Sequence, residues 1–288
     1  MPSTIKIKLS PEYAPFTEKD VREAKDYVLR RERAADALES RIDSMVADAA
    51  EQVASIALSY NIQPERLEFT QECDETMFRE IAETMDALEG DIMDAVIEYS
   101  LACAEEDEDR RGILLAWVLA LGKGGRGLEQ TLHTRLYTLM RDIEAMVVAC
   151  KIAGMTRTAA LAFVKGHLKD VYTSDVMRRA FRMSAKVKSP YIRSMGTKHG
   201  NVGNSSSEAV NIDRFGRTTL QMAWMRNLWL DYADDEVAAY YVLRGSNYDC
   251  ALCDSYVGLH PADDWESFPP YHPHCCCYAV PVTLSETT

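Results

Sequence analysis

One stretch limits the fold more than any other. From Glu18 to Tyr60 the chain runs without a glycine or a proline. Within it Val21, Ala24, Val28, Ala35, Leu38, Ile42, Met45, Val46, Ala49, Val53 and Ile56 recur at helical intervals. That spacing draws one apolar stripe along one long helix, which needs partners along its length to bury it. Thr17 with Asp20 resembles a capping pair at its start, and Asn61 and Pro64 break it.

The rest of the chain is read the same way. Helical segments are expected over about 75–104, in "RRGILLAWVLALG", and from Leu128 to a glycine cap at Gly154, with shorter ones before Asp175 and after it. Gly122, Gly124, Gly125 and Gly127 punctuate two of them. "KSPYIRSMGTKHGNVGNSSS", residues 188–207, is rich in Gly, Ser and Asn and reads as a mobile loop. "SEAVNIDRFGRTTLQMAWMRNLWLDYADD" reads as helix. "EVAAYYVLRG" and "CYAVPVTL" carry the β-branched and aromatic residues of strands. Trp224 and Trp229 are expected to pack against that hairpin.

The formal net charge of −13 disfavours nonspecific nucleic-acid binding over most of the surface. The charge is uneven, however. Residues 104–111 form an acidic knot. Between Asp175 and Glu208 no acidic residue occurs, while Arg178, Arg179, Arg182, Lys186, Lys188, Arg193 and Lys198 do. This basic block is a candidate contact for DNA phosphates or for an acidic protein surface; the plainer reading is a solvated loop. No apolar run approaches the ~18 residues of a membrane span, and the N-terminus lacks the apolar core of a secretory signal, so a reducing compartment and no membrane are expected.

Five of the eight cysteines fall between 250 and 277. Cys250 and Cys253 form C-x-x-C, Cys275 and Cys277 form C-x-C, and His272 precedes Cys275 by three. A knuckle of two thiolates, closed by a second pair some 20 residues later, is the ligand pattern of structural zinc. A zinc here would staple a unit with little apolar surface of its own. Cys250 and Cys253 are the first ligands named. The other pair is Cys275 with Cys277, or His272 with one of them. Cys276 points away from its neighbours in extended chain and is the expected non-ligand. Disulfides, a redox pair and plain buried cysteines are the competing readings. H-E-x-x-H is absent, and no H-x-E precedes the C-x-x-C, which speaks against catalytic zinc. The fold class expected is therefore mainly α: a long helical N-terminal region and a small α+β C-terminal module containing a zinc-stapled β-hairpin. Residues 1–16 form an arm, 17–150 a helical domain and 151–288 a C-terminal domain with its Cys/His module at 245–283.

Cys250-Ala-Leu-Cys253, Gly258, Pro269-Pro-Tyr-His272-Pro-His-Cys275-Cys-Cys277 and the following "YAVPV" together resemble the phage Mu protein F-like minor head protein family. Arg217-Thr218-Thr219 is similar to the family's Arg-Thr-Glu helix, and "AGMTRTAALAFVKGHL" to its glycine-initiated helix. The resemblance covers roughly residues 150–283. Two departures stand out: Cys276 replaces an Arg beside the metal site, and Thr219 replaces the Glu. The resemblance implies a non-enzymatic minor head protein, oligomeric in the particle, associated with the portal or major capsid protein and with packaged DNA. It would be made in the host cytoplasm and end in the virion. Enzymatic alternatives are a zinc-dependent nuclease or a toxin-type module; the other alternative is a zinc-ribbon binding adaptor.

Overall fold

The computed structural model describes residues 16–122, 125–183, 207–234, 237–246 and 249–282, with the backbone alone for 181–183 and 234. Helix α1 (Glu18–Ser59) forms over the glycine-free run, and Ala24, Val28, Leu38, Ile42, Val46 and Val53 of its stripe are buried. Its start is a reciprocal cap. The Thr17 N–H donates to Asp20 Oδ2 at 2.7 Å, and the Asp20 N–H donates back to Thr17 Oγ1 at 3.3 Å. The hydrogen bond from the Thr17 backbone is also the main reason the Asp20 carboxyl sits below the usual range.

Helices α2 (Glu75–Leu101), α3 (Glu108–Ala120), α4 (Leu128–Ile152), α5 (Arg157–Gly166), α6 (Asp175–Met183) and α7 (Glu208–Asp234) follow. Helix α2 runs unbroken through Gly90, where no neighbour comes near. Helix α4 ends as its glycine predicts. Gly154 sits at φ 64°, with Met155 N–H bonded to Cys150 O and Gly154 N–H to Lys151 O, both at 3.1 Å. Thr156 then caps α5.

A three-stranded antiparallel sheet closes the chain, in the order β2–β1–β3. Strand β1 (Ala239–Leu243) and strand β3 (Tyr278–Val282) are the two expected from sequence. They pair directly, Tyr241 opposite Val280. Strand β2 (Gly258–Pro261) was not expected. Its four residues "GLHP" carry little strand propensity, and Pro261 is tolerated because β2 is an edge. A one-turn helix α8 (Ala251–Asp254) lies between β1 and β2.

Two compact units emerge, and they interleave along the sequence. One comprises residues 1–38, 96–121 and 216–288, the other 39–95 and 122–215. The contiguous boundary expected at 150/151 is not where they divide, because α1, α2 and α7 each run from one unit into the other. In the first unit, Ala24 and Val28 of α1 pack with Tyr278 and Val280 of β3. Met225 and Tyr232 of α7 pack with Tyr240, Val242, Phe268 and Ala279. Trp224 is buried and donates to Tyr99 O, while Trp229 packs on the sheet cluster and donates to Ala262 O. In the second unit, the C-terminal half of α4 is buried on every side from Asp142 to Cys150.

Candidate metal centre

The 34-residue excursion between paired strands β1 and β3 carries the cysteines and His272. Cys250 is the N-cap of α8, so one helical turn brings Cys253 round to the same side; the Asp254 N–H bonds back to Cys250 O at 2.9 Å. Arg244, leaving β1, reaches Asp254 and Cys250 O and holds this knuckle. The second ligand segment is a tight turn in which Cys275 N–H donates to His272 O at 3.0 Å and His274 takes φ 63°. Gly245 is where the two segments touch. A Cβ there would lie 1.7 Å from Cys276 O, so only glycine fits.

These turns bring five donors together. His272 Nε2 lies 3.4 Å from Cys250 Sγ and 3.1 Å from Cys253 Sγ. Cys253 Sγ lies 3.9 Å from Cys275 Sγ. Cys250, Cys253 and His272 form one group able to hold a metal ion, and Cys253, Cys275 and Cys277 another; Cys253 belongs to both. The His272 Nδ1 hydrogen bond to Pro273 O, at 2.7 Å, places the ring proton on Nδ1 and leaves Nε2 free to ligate. Cys276 is the odd one, as expected. Its Sγ turns to His274 O and lies in neither group.

The protons are already unevenly shared. Hydrogen bonding from Cys277 pulls the Cys275 thiol down to about 5. The backbone N–H of Cys253 pulls Cys250 down. Burial pushes Cys253 up to about 12, while Cys277 rises because it is hydrogen-bonded to Cys275 and buried. For His272 burial works against the charged ring, but the Pro273 carbonyl and the neighbouring thiolates outweigh it and raise the imidazole. A cluster that ionises one thiol unaided and holds four more donors within reach is chemically suited to a cation. All eight cysteines are free thiols in this structure, so no disulfide competes for these sulfurs.

Arg217 and Arg31 flank the site. Arg217 pairs with Glu32 at 2.6 Å and Asp36 at 2.7 Å, both on α1, and Thr219 is buried. Arg31, unnoticed in the sequence reading, donates from Nη2 to Cys275 O at 2.5 Å. The one available signal was the seven-residue gap between Val28 and Ala35 in the stripe, which Arg31 fills at helical spacing.

Of the basic block, Arg178 and Arg179 are exposed on α6, and Arg178 is 3.8 Å from Asp175. The Arg182 side chain, Lys186, Lys188, Arg193 and Lys198 lie outside the described residues, as do the arm before Phe16 and nearly all of the 188–207 loop. Asp264 Oδ1 caps a 3₁₀ turn by accepting from the Ser267 N–H at 3.2 Å.

Fold and site define a mainly helical protein with a small antiparallel sheet bearing a Cys/His cluster that can hold a metal ion. Among the described residues, no helix is long and apolar enough to cross a membrane. No protein-family model, no curated protein and no solved structure matches the chain.

Proposed function

We propose that this chain is a minor head protein of the phage Mu protein F-like kind, a structural component whose C-terminal module is stapled by one zinc ion. The observation that carries the reading is that the residues bearing the resemblance converge. Cys250, Cys253, His272, Cys275 and Cys277 come from segments about 20 residues apart and meet beside one sheet. Thiolate and imidazole donors select zinc over magnesium or calcium. A tetrahedron with metal–sulfur bonds of about 2.3 Å has edges of about 3.8 Å, and the Cys253–Cys275 separation of 3.9 Å matches. Cys250, Cys253 and Cys275 supply three ligands, and His272 or Cys277 the fourth. Four protein ligands leave no position for a reacting water, which favours a structural role over a zinc-dependent nuclease or toxin.

In this reading the helical part contacts the portal or major capsid protein, and the basic block reaches packaged DNA. Two measurements test it. Metal analysis of purified protein should find close to one zinc per chain, lost in Cys250→Ala. Mass spectrometry of DNA-filled particles from cells that make the chain should find it at low copy. A zinc-free, folded protein with reduced cysteines overturns the staple; absence from particles overturns the head-protein assignment.

A further inference from the structure

A fully buried arginine is rare in proteins unless it is paired. Arg31 is 0% exposed and stands on the apolar stripe of α1, in the series Ala24, Val28, Arg31, Ala35, Leu38. A methionine or leucine would complete that stripe at no electrostatic cost, so something must compensate the charge. Three observations bear on what does.

The first is the link itself. Arg31 Nη2 donates to the carbonyl of Cys275, a ligand in both of the sets proposed above. The second is unspent hydrogen-bonding capacity: Arg31 Nη1 is buried and has no partner among the described residues. The third is charge. Glu32 binds Arg31 at 2.8 Å, but it is shared with Arg217 at 2.6 Å and with Gln221 at 2.8 Å. Asp36, the other partner of Arg217, is 70% exposed and largely compensated by solvent. Glu32 is therefore divided between two buried guanidiniums and does not neutralise Arg31 by itself. A zinc ion with three thiolates and one imidazole carries one negative charge, and with four thiolates two. A loaded centre adds negative charge on the side of Arg31 that faces Cys275.

We propose that Arg31 is the charge partner of the metal–thiolate centre, so that metal loading and the docking of α1 residues 18–38 onto the C-terminal sheet are thermodynamically coupled. The inference rests on the metal reading above. When the centre is loaded, the buried guanidinium is neutralised and α1 is held by Arg31 and by the contact of Ala24 and Val28 with β3. When the metal leaves, the same buried arginine keeps only a shared Glu32 and an unused N–H edge, and it holds that contact less firmly. Arg31 thus acts as a positioning residue.

The test uses the full chain. Zinc content of the wild type is measured first, then affinity by competition with a chelator of known strength, for wild type, Arg31→Met and Arg31→Lys. Removing an outer-shell partner of a metal site costs 10–100-fold in affinity, so Arg31→Met should bind zinc about tenfold or more weakly and Arg31→Lys should recover part of the loss. Melting of the metal-free forms separates this from simple packing: metal-free Arg31→Met should be no less stable than metal-free wild type. Hydrogen exchange should show residues 18–38 losing protection on chelation in the wild type, and losing less in Arg31→Met. Equal zinc affinity in wild type and Arg31→Met, or an equal loss of stability with and without metal, overturns the coupling and leaves the zinc site standing. A wild type that binds no zinc removes the metal reading and the coupling together. If Arg31→Met does not fold, the wild-type exchange comparison and Arg31→Lys affinity decide the matter alone.

Discussion

Glu144 offers a sharp test of the energetics in the second unit. It lies in the fully buried half of α4, 0% exposed. Oε2 accepts from the Phe69 N–H at 2.7 Å and from Arg141 Nη1 at 2.8 Å, while Oε1 is buried and has no hydrogen-bond partner among the described residues. Burial pushes its carboxyl from 4.5 up to about 7, against the pull of Phe69 and Arg141. The sign follows from proton binding. Between those values the folded chain holds a proton that the unfolded chain has lost, so stability falls as pH rises. The contribution is complete below about pH 4.5 and gone above about pH 7, and it is worth about 3 kcal/mol.

Glu144→Gln keeps an acceptor for Phe69 and cannot ionise. Urea denaturation followed by far-ultraviolet circular dichroism, from pH 4.5 to pH 8, should show the two proteins close in stability at the acid end. The glutamine variant should be more stable by about 3 kcal/mol at the alkaline end. Asp213, raised to about 7 by burial and by neighbouring Asp43, titrates in the same window and is common to both proteins, so the difference isolates Glu144. A difference that stays flat across the range, or a glutamine variant that is less stable at pH 8, would mean that Arg141 stabilises the carboxylate more than burial penalises it, and the reasoning fails.

Two further substitutions have outcomes fixed by geometry. Gly245→Ala drives a Cβ into the backbone of Cys276 and should lose zinc to a chelator that wild type resists, with destabilisation of about 2 kcal/mol or more in thermal melts. Tyr172→Phe removes the hydroxyl that donates to buried Asp142, whose other oxygen accepts from the Glu208 N–H at the start of α7; a loss of about 1–3 kcal/mol in urea melts is expected, and no effect would show that water replaces the donor.

What the sequence made legible follows the range of the forces involved. Helices α1, α4 and α5 could be read because their signals are local: an apolar period, a Thr–Asp capping pair, a glycine in the left-handed region. Strands β1 and β3 could be read from Tyr240, Tyr241 and Val242 and from Val280 and Val282. Strand β2 could not. "GLHP" becomes a strand only because Tyr240 and Tyr241 of β1 offer it an edge, and that edge exists only after the sheet has formed. The interleaved units were hidden for the same reason. No composition change marks residue 39 or 96, since the division lies inside helices whose local pattern is continuous.

The candidate metal site divides along the same line. Its ligands were legible because C-x-x-C and H-x-x-C-x-C each fold as one turn, so spacing alone aims the donors. The order among the ligands depends on three dimensions. His272 ranked last in sequence, yet its Nε2 stands 3.4 Å from Cys250 Sγ and 3.1 Å from Cys253 Sγ, with Nδ1 bonded to the Pro273 carbonyl. Arg31 shows how such a contact can still leave a trace. It meets Cys275 across 244 residues, which no local rule reports. The same contact places a cation where an apolar residue belongs, and the stripe of α1 records it as a seven-residue gap. A break in an otherwise regular buried face is therefore informative in itself: a charge retained there needs partners, and Arg31 finds Glu32 at 2.8 Å and the carbonyl of Cys275 at 2.5 Å.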